Sequence, residues 1–225
     1  LVKSQACYEQ SLSFIHWQLW RQWVLVCSAT AFIRVTFDLI SSSASSAIGN
    51  TSIITILIFT AISGALGGMA QYSVLRRWIS TAKYWVLATS LGSALGLAVN
   101  NFIHELDIAT LPVRDANNFL AVFAGSAGRI PLVIFDIISG LILGLAQWLV
   151  LRGKVPQAGW WVLASSFGML FNGVAVNVMR QVFGRMGLYS GAAYDPLNWV
   201  IAIIGGAIYG AITGIILVRL LQKTQ

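Results

Sequence analysis

An all-α, polytopic membrane protein with six transmembrane helices in three tandem two-helix repeats is the fold the sequence predicts. Three observations predict it. Only 9% of the 225 residues are charged while 57% are hydrophobic, and mean hydropathy is +0.78. A soluble domain carries about a quarter charged residues, so too few polar groups exist here to clothe a water-facing surface. Six stretches supply the roughly 20 mostly apolar residues a spanning helix needs, and two short patterns alternate along the chain. The composition excludes an ordinary soluble enzyme, a nucleic-acid-binding domain and a disordered tail.

The spans fall at roughly 20–40, 52–75, 82–103, 130–151, 159–180 and 197–219, in one membrane domain covering 1–225. The first, third and fifth share one pattern. Gln22-Trp23-Val24-Leu25-Val26-Cys27-Ser28 matches Tyr84-Trp85-Val86-Leu87-Ala88-Thr89-Ser90, and both match Trp160-Trp161-Val162-Leu163-Ala164-Ser165-Ser166. The second and fourth share another: Gly64, Gly68, Gln71, Leu75, Arg76 returns as Gly140, Gly144, Gln147, Leu151, Arg152. A weaker copy in the sixth runs Gly206, Gly210, Thr213, Leu217, followed by Arg219. The repeats therefore cover about 17–76, 77–152 and 153–225.

Gly64, Gly68 and Gln71 stand at i, i+4 and i+7, one stripe of a helix. A small-xxx-small stripe lets two backbones approach closely in lipid, where packing replaces the hydrophobic drive. The odd spans carry a matching stripe: Trp85, Thr89, Gly92, Gly96; then Trp161, Ser165, Gly168, Asn172; and Trp23, Cys27, Thr30, Arg34. These stripes are expected to pack helix on helix, with Gln71 and Gln147 as interhelical hydrogen-bonding groups.

Orientation follows from charge. With six spans, both termini and the two even-to-odd turns share one side. Lys3, Arg21, Arg76, Arg77, Lys83, Arg152, Lys154, Arg219 and Lys223 lie there against the single acid Glu9. The other side carries Arg34, Arg114, Arg129, Arg180 and Arg185 against Asp38, Glu105, Asp107, Asp115, Asp136 and Asp195. The positive-inside rule then makes both termini cytoplasmic. The net charge of +7, which in a soluble protein would suggest nucleic acid, reports topology. No charged-then-apolar leader with a small-residue cleavage site precedes the first span. Insertion is expected to rely on that span itself, or a leader has been lost.

The inner turns at 77–82 and 152–159 are tight and basic, whereas the outer connections at 41–51, 104–129 and 181–196 are longer. The first outer loop is serine-rich, as flexible linkers are. Within 104–129 the apolar run Phe119-Leu120-Ala121-Val122-Phe123-Ala124 is too short to span, and reads as an interfacial or re-entrant helix. Trp17, Trp20, Trp78 and Trp160 on the inner side, and Tyr189, Tyr194 and Trp199 on the outer, suit aromatic belts.

Ionisable groups within spans are the default functional candidates, and here they gather at the outer helix ends. The candidate polar cluster is Arg34, Asp38, Asn100, His104, Asp136, Asn172, Asn177 and Arg180, with Asn101 beside Asn100. Arg34 and Asn172, and less closely Asp38 and Asn100, continue the stripe begun by the tryptophans and are expected to point into the bundle. Such a cluster suits a polar headgroup or a small solute; the alternative is that its members satisfy one another or snorkel. His16 and His104 fall on opposite faces and cannot share one haem. Cys7 and Cys27 make neither a metal spacing nor a disulfide framework. Ala124-Gly125-Ser126-Ala127-Gly128 lacks the first glycine of a nucleophile elbow, and Asn50-Thr51-Ser52 is only a formal glycosylation sequon. No metal, phosphate or dinucleotide motif is present, so an enzyme is not expected.

The run Gly-Leu-Ala-Gln-Trp-Leu-Val-Leu-Arg at 144–152, followed by Gly159-Trp160-Trp161-Val162-Leu163-Ala164-Ser165-Ser166, resembles a repeat of uncharacterised bacterial, notably cyanobacterial, multi-pass membrane proteins. The likeness covers the two inner turns and their flanking helices well, and the first and last spans poorly. It implies a plasma or thylakoid membrane and an accessory role beside a larger complex, and carries over no functional residue.

Two functions are therefore expected in turn. One is a non-catalytic membrane subunit or scaffold whose apolar faces contact lipid, a larger membrane complex or a pigment (chlorophyll or carotenoid). The alternative is a small-solute transporter, or its membrane-embedded substrate-binding component, with an outward-facing polar site.

Overall fold

Apolar stretches long enough to cross a bilayer must satisfy every backbone polar group internally, and helices do so. The computed structural model describes residues 2–48, 53–105, 131–192 and 195–223. The helices are α1 (Val2–Ile48), α2 (Ile53–Leu75), α3 (Trp85–Glu105), α4 (Pro131–Leu151), α5 (Trp160–Arg185) and α6 (Leu197–Gln222). Six segments are long and apolar enough to span: His16–Ser41, Ile53–Leu75, Ala82–Phe102, Ile134–Leu151, Trp160–Arg185 and Leu197–Gln222. The protein is an all-helical membrane protein.

The six expected spans all appear, but α1 runs well past the first at both ends, and the serine-rich tract after 40, expected as a flexible linker, instead continues the helix to Ile48. Helix ends follow local chemistry. Proline opens α4, in the first turn, where its missing N–H has no intrahelical acceptor to lose. Gly187, at φ +69°, closes α5 with the Leu188 N–H donating to the Phe183 carbonyl at 2.9 Å, the six-to-one bond of a Schellman cap. The outer run 119–124, the sequon at 50–52 and Tyr194 lie outside the described residues.

Each helix packs on its neighbours in sequence, and α6 returns to pack on α1, so the six form a closed ring. Two kinds of joint alternate around it. At α2–α3, α4–α5 and α6–α1 the glycines carry the contact. A methyl added to Gly68, Gly144 or Gly210 would approach the Cα of Val86, Val162 or Val24 to 2.9, 3.0 and 2.9 Å. One turn on, Gly64, Gly140 and Gly206 stand equally close to Ser90, Ser166 and Ser28. The contacted valines each follow one tryptophan of the odd helices by one residue, and the serines by five.

The joints α1–α2, α3–α4 and α5–α6 work by complementary size. Gly67 receives Thr30, Gly92 receives Leu143, and Gly168 receives the Tyr209 ring. Gly96 is looser, 3.6 Å from Ser139 by the same measure. Large apolar side chains such as Leu25, Ile58, Leu91, Leu145, Phe167 and Ile215 face outward all round the ring, as lipid contact requires.

Candidate functional site

Trp23, Trp85 and Trp161 stand on alternate helices of the ring, and their long side chains meet in its middle. All three are 0% exposed. Their ring centroids are 6.1, 5.8 and 5.4 Å apart, with interplanar angles of 78°, 76° and 67°. Edge-to-face pairs of this kind contribute about 0.5–1.5 kcal/mol each beyond burial. Leu19, Leu75, Leu151 and Leu217, one turn nearer the basic end, are buried in the same cluster. Together they close the middle of the ring at that end.

Every indole N–H needs an acceptor in this water-free position, and the neighbouring even helix supplies it. Trp85 donates to Gln71 Oε1 at 2.8 Å, Trp161 to Gln147 Oε1 at 2.9 Å and Trp23 to Thr213 Oγ1 at 3.0 Å. The glutamine amides reach on to the next odd helix: Gln147 Nε2 donates to Thr89 Oγ1 at 3.1 Å, and Gln71 Nε2 to Cys27 Sγ at 3.7 Å. Thr213 has no second arm; its hydroxyl donates to the Tyr209 carbonyl at 2.7 Å.

Beyond this layer lies a cavity of about 100 Å³. A water needs about 10–15 Å³ on this measure, so the space suits several waters or a solute of a few heavy atoms. Cys27, Gln71, Thr89 and Tyr209 line the end near the tryptophans, Ser63 and Ser93 its middle, and Arg34 and Asn172 its other end. Arg34 lies seven residues beyond Cys27, about 10 Å further along α1, and is exposed there. The cavity therefore lies beyond the tryptophan layer, with Arg34 at the end remote from it.

Arg34 interacts electrostatically with Asp38 and Asp136, yet among the described residues its guanidinium takes part in no hydrogen bond. Asp136 presses against Gly173 of α5, which keeps its carboxylate on the ring instead of in lipid. Comparison with protein-family models, curated proteins and solved structures finds no match to this chain.

Of the expected cluster, Arg34 and Asn172 line the cavity, and Asn172 also packs on Gly205. The others are placed differently. Asn100 donates to Ser139 Oγ at 2.8 Å across the α3–α4 joint. Asp38 is exposed, as is Arg180, and Asn177 is half-buried on α5 away from the cavity lining. These follow from 100° per residue: positions 177 and 180 lie off the stripe through 165, 168 and 172. The His104 side chain lies outside the described residues. Sequence reasoning passed over Ser165, Tyr209 and Thr213 as site residues. The available signal was the threonine at 213 where the other two copies have glutamine.

Proposed function

We propose that the chain is three tandem copies of a two-helix unit closed about a pseudo-threefold axis. Its central cavity, with Arg34 and Asn172 at one end, is an outward-facing site for a small anionic solute. The protein then acts as a small-solute transporter or its membrane-embedded substrate-binding component, with both termini in the cytoplasm. The recurrence of the same glycine–valine and glycine–serine approaches at three joints supports the repeat. Arg76, Arg77, Arg152 and Arg219 at the end closed by tryptophan support the orientation under the positive-inside rule. The likeness to cyanobacterial multi-pass proteins favours a bacterial plasma or thylakoid membrane.

One observation carries the functional reading: an arginine whose guanidinium makes no hydrogen bond among the described residues lines the cavity at the end remote from the tryptophans. A guanidinium offers five donors in a fork that suits a carboxylate or phosphate oxygen pair. Asp38 and Asp136 help to hold that charge in a low-dielectric ring without occupying its donors. An arginine in a span is otherwise costly and faces a bundle interior or a water-filled cavity.

The test is calorimetric titration of the detergent-purified protein with acetate, lactate, pyruvate, phosphate and sulfate. Saturable one-site binding by one of these classes, lost in Arg34→Ala with the fold intact, supports the reading. Failure of every anion, with a membrane protein or pigment co-eluting in stoichiometric amount, favours the scaffold instead.

A further inference from the structure

Two of the three tryptophan bridges are complete and the third is open, at the same level of the ring. Gln71 and Gln147 each link an indole to the next odd helix. Thr213 is too short to continue to Ser165, the position equivalent to Cys27 and Thr89. Ser165 Oγ and Tyr209 OH are both buried without a hydrogen-bond partner. The Tyr209 hydroxyl lies close to Ser165, but not in hydrogen-bonding geometry. Tyr209 lines the cavity and Ser165 is 0% exposed. Unpartnered buried hydroxyls are destabilising, and a glutamine at 213 would reach Ser165 as Gln71 and Gln147 reach Cys27 and Thr89.

We infer that the open bridge is the floor of the ligand site, where Ser165 Oγ and Tyr209 OH take an uncharged hydroxyl or carbonyl at the far end of a small solute whose anionic group is held by Arg34. The inference rests on the cavity being a ligand site and adds the class of ligand: a short carboxylate with a polar group at its other end. Among the described residues no cation lines the floor, so a second charge there would be buried without compensation. Serine and tyrosine hydroxyls each donate and accept, which suits a hydroxyl or a carbonyl equally. Both oxygens are covered by neighbouring atoms, so a ligand reaches them only when the Tyr209 ring, which lines the cavity, moves aside. That ring already fills the space beside Gly168, where an added methyl would sit 2.8 Å from its Cδ2.

The experiment is calorimetric titration of the full chain with ω-hydroxycarboxylates of four to six carbons. Alkyl carboxylates carrying a methyl in place of the terminal hydroxyl are run alongside. The double variant Tyr209→Leu/Thr213→Gln copies the Leu143 and Gln147 pair of the second hairpin, and Tyr209→Phe removes the hydroxyl alone. The expected result is an at least tenfold preference of the unaltered chain for the hydroxylated series. Both variants reduce it to within about twofold, while Arg34-dependent binding of the alkyl series remains. Equal binding of both series by the unaltered chain overturns the floor assignment alone, as does a preference that survives in both variants. If neither series binds, the floor assignment and the anion site fall together.

Discussion

The Trp161 indole donates to Gln147 Oε1 at 2.9 Å, and the two residues are 0% and 1% exposed. The same glutamine donates onward to Thr89 at 3.1 Å, so one side chain fixes an aromatic wedge and ties α4 to both its neighbours. Where no water can enter, such a bond is worth more for what its loss leaves behind than for its own strength.

Gln147→Leu is expected to destabilise the protein by about 1–3 kcal/mol, because it strands an indole N–H and a threonine hydroxyl in the centre of the ring. Gln71→Leu is expected to cost less. Its onward partner is the Cys27 sulfur at 3.7 Å, a weak acceptor. Thermal unfolding in detergent ranks the two variants, and a larger loss for Gln71→Leu contradicts the bridging role.

Gly140→Ala is expected to lower the melting temperature, since the added methyl would lie 2.7 Å from both the Ser165 carbonyl oxygen and the Ser166 Cα. Both obstacles are backbone, so the helices must separate. Gly184→Ala, also helical but with nothing within 4 Å, is expected to be neutral or to stabilise by up to about 1 kcal/mol. The pair is compared by the same melting measurement, and equal losses argue against close helix approach at Gly140.

Much of this architecture was legible in the sequence because lipid imposes simple rules. A run near 20 apolar residues has little choice but to span, and glycine at i and i+4 has little use except close approach. Gln71 and Gln147 read as interhelical groups on chemistry alone, and their partners became visible only when Trp85 and Trp161 were placed beside them. Arg34 and Asn172 were legible from the stripe at helical spacing. Asn100 was not, because spacing cannot show that Ser139 on the neighbouring helix takes its amide. Tyr209 was hidden for another reason: its importance lies in what Thr213 lacks.

Asp195 gives the loop before α6 a defined pH dependence. Its carboxylate accepts the Ser190 N–H at 2.7 Å, the Ser190 hydroxyl at 2.9 Å and the Leu197 N–H at 3.0 Å. The Ser190 amide first, then that of Leu197, hold its carboxyl below the ordinary 3.8. With the folded value lower than the unfolded one, the stabilisation is full above the unfolded pKa and is lost as pH falls through the folded pKa. Hydrogen exchange at the Ser190 and Leu197 amides, corrected for intrinsic rates, is expected to stay slow near neutrality and rise below about pH 4. In Asp195→Asn it is expected to be fast throughout; unchanged protection in that variant contradicts the assignment.

Cavity access from one side of the membrane is the most direct test. Ser93 lines the cavity wall beyond the tryptophan layer. In a Cys7→Ser, Cys27→Ser background, Ser93→Cys is exposed in sealed vesicles to an anionic methanethiosulfonate reagent from each face. Labelling is expected only from the face opposite the termini. Labelling from the terminal face with all three tryptophans intact contradicts a blind, outward-opening cavity.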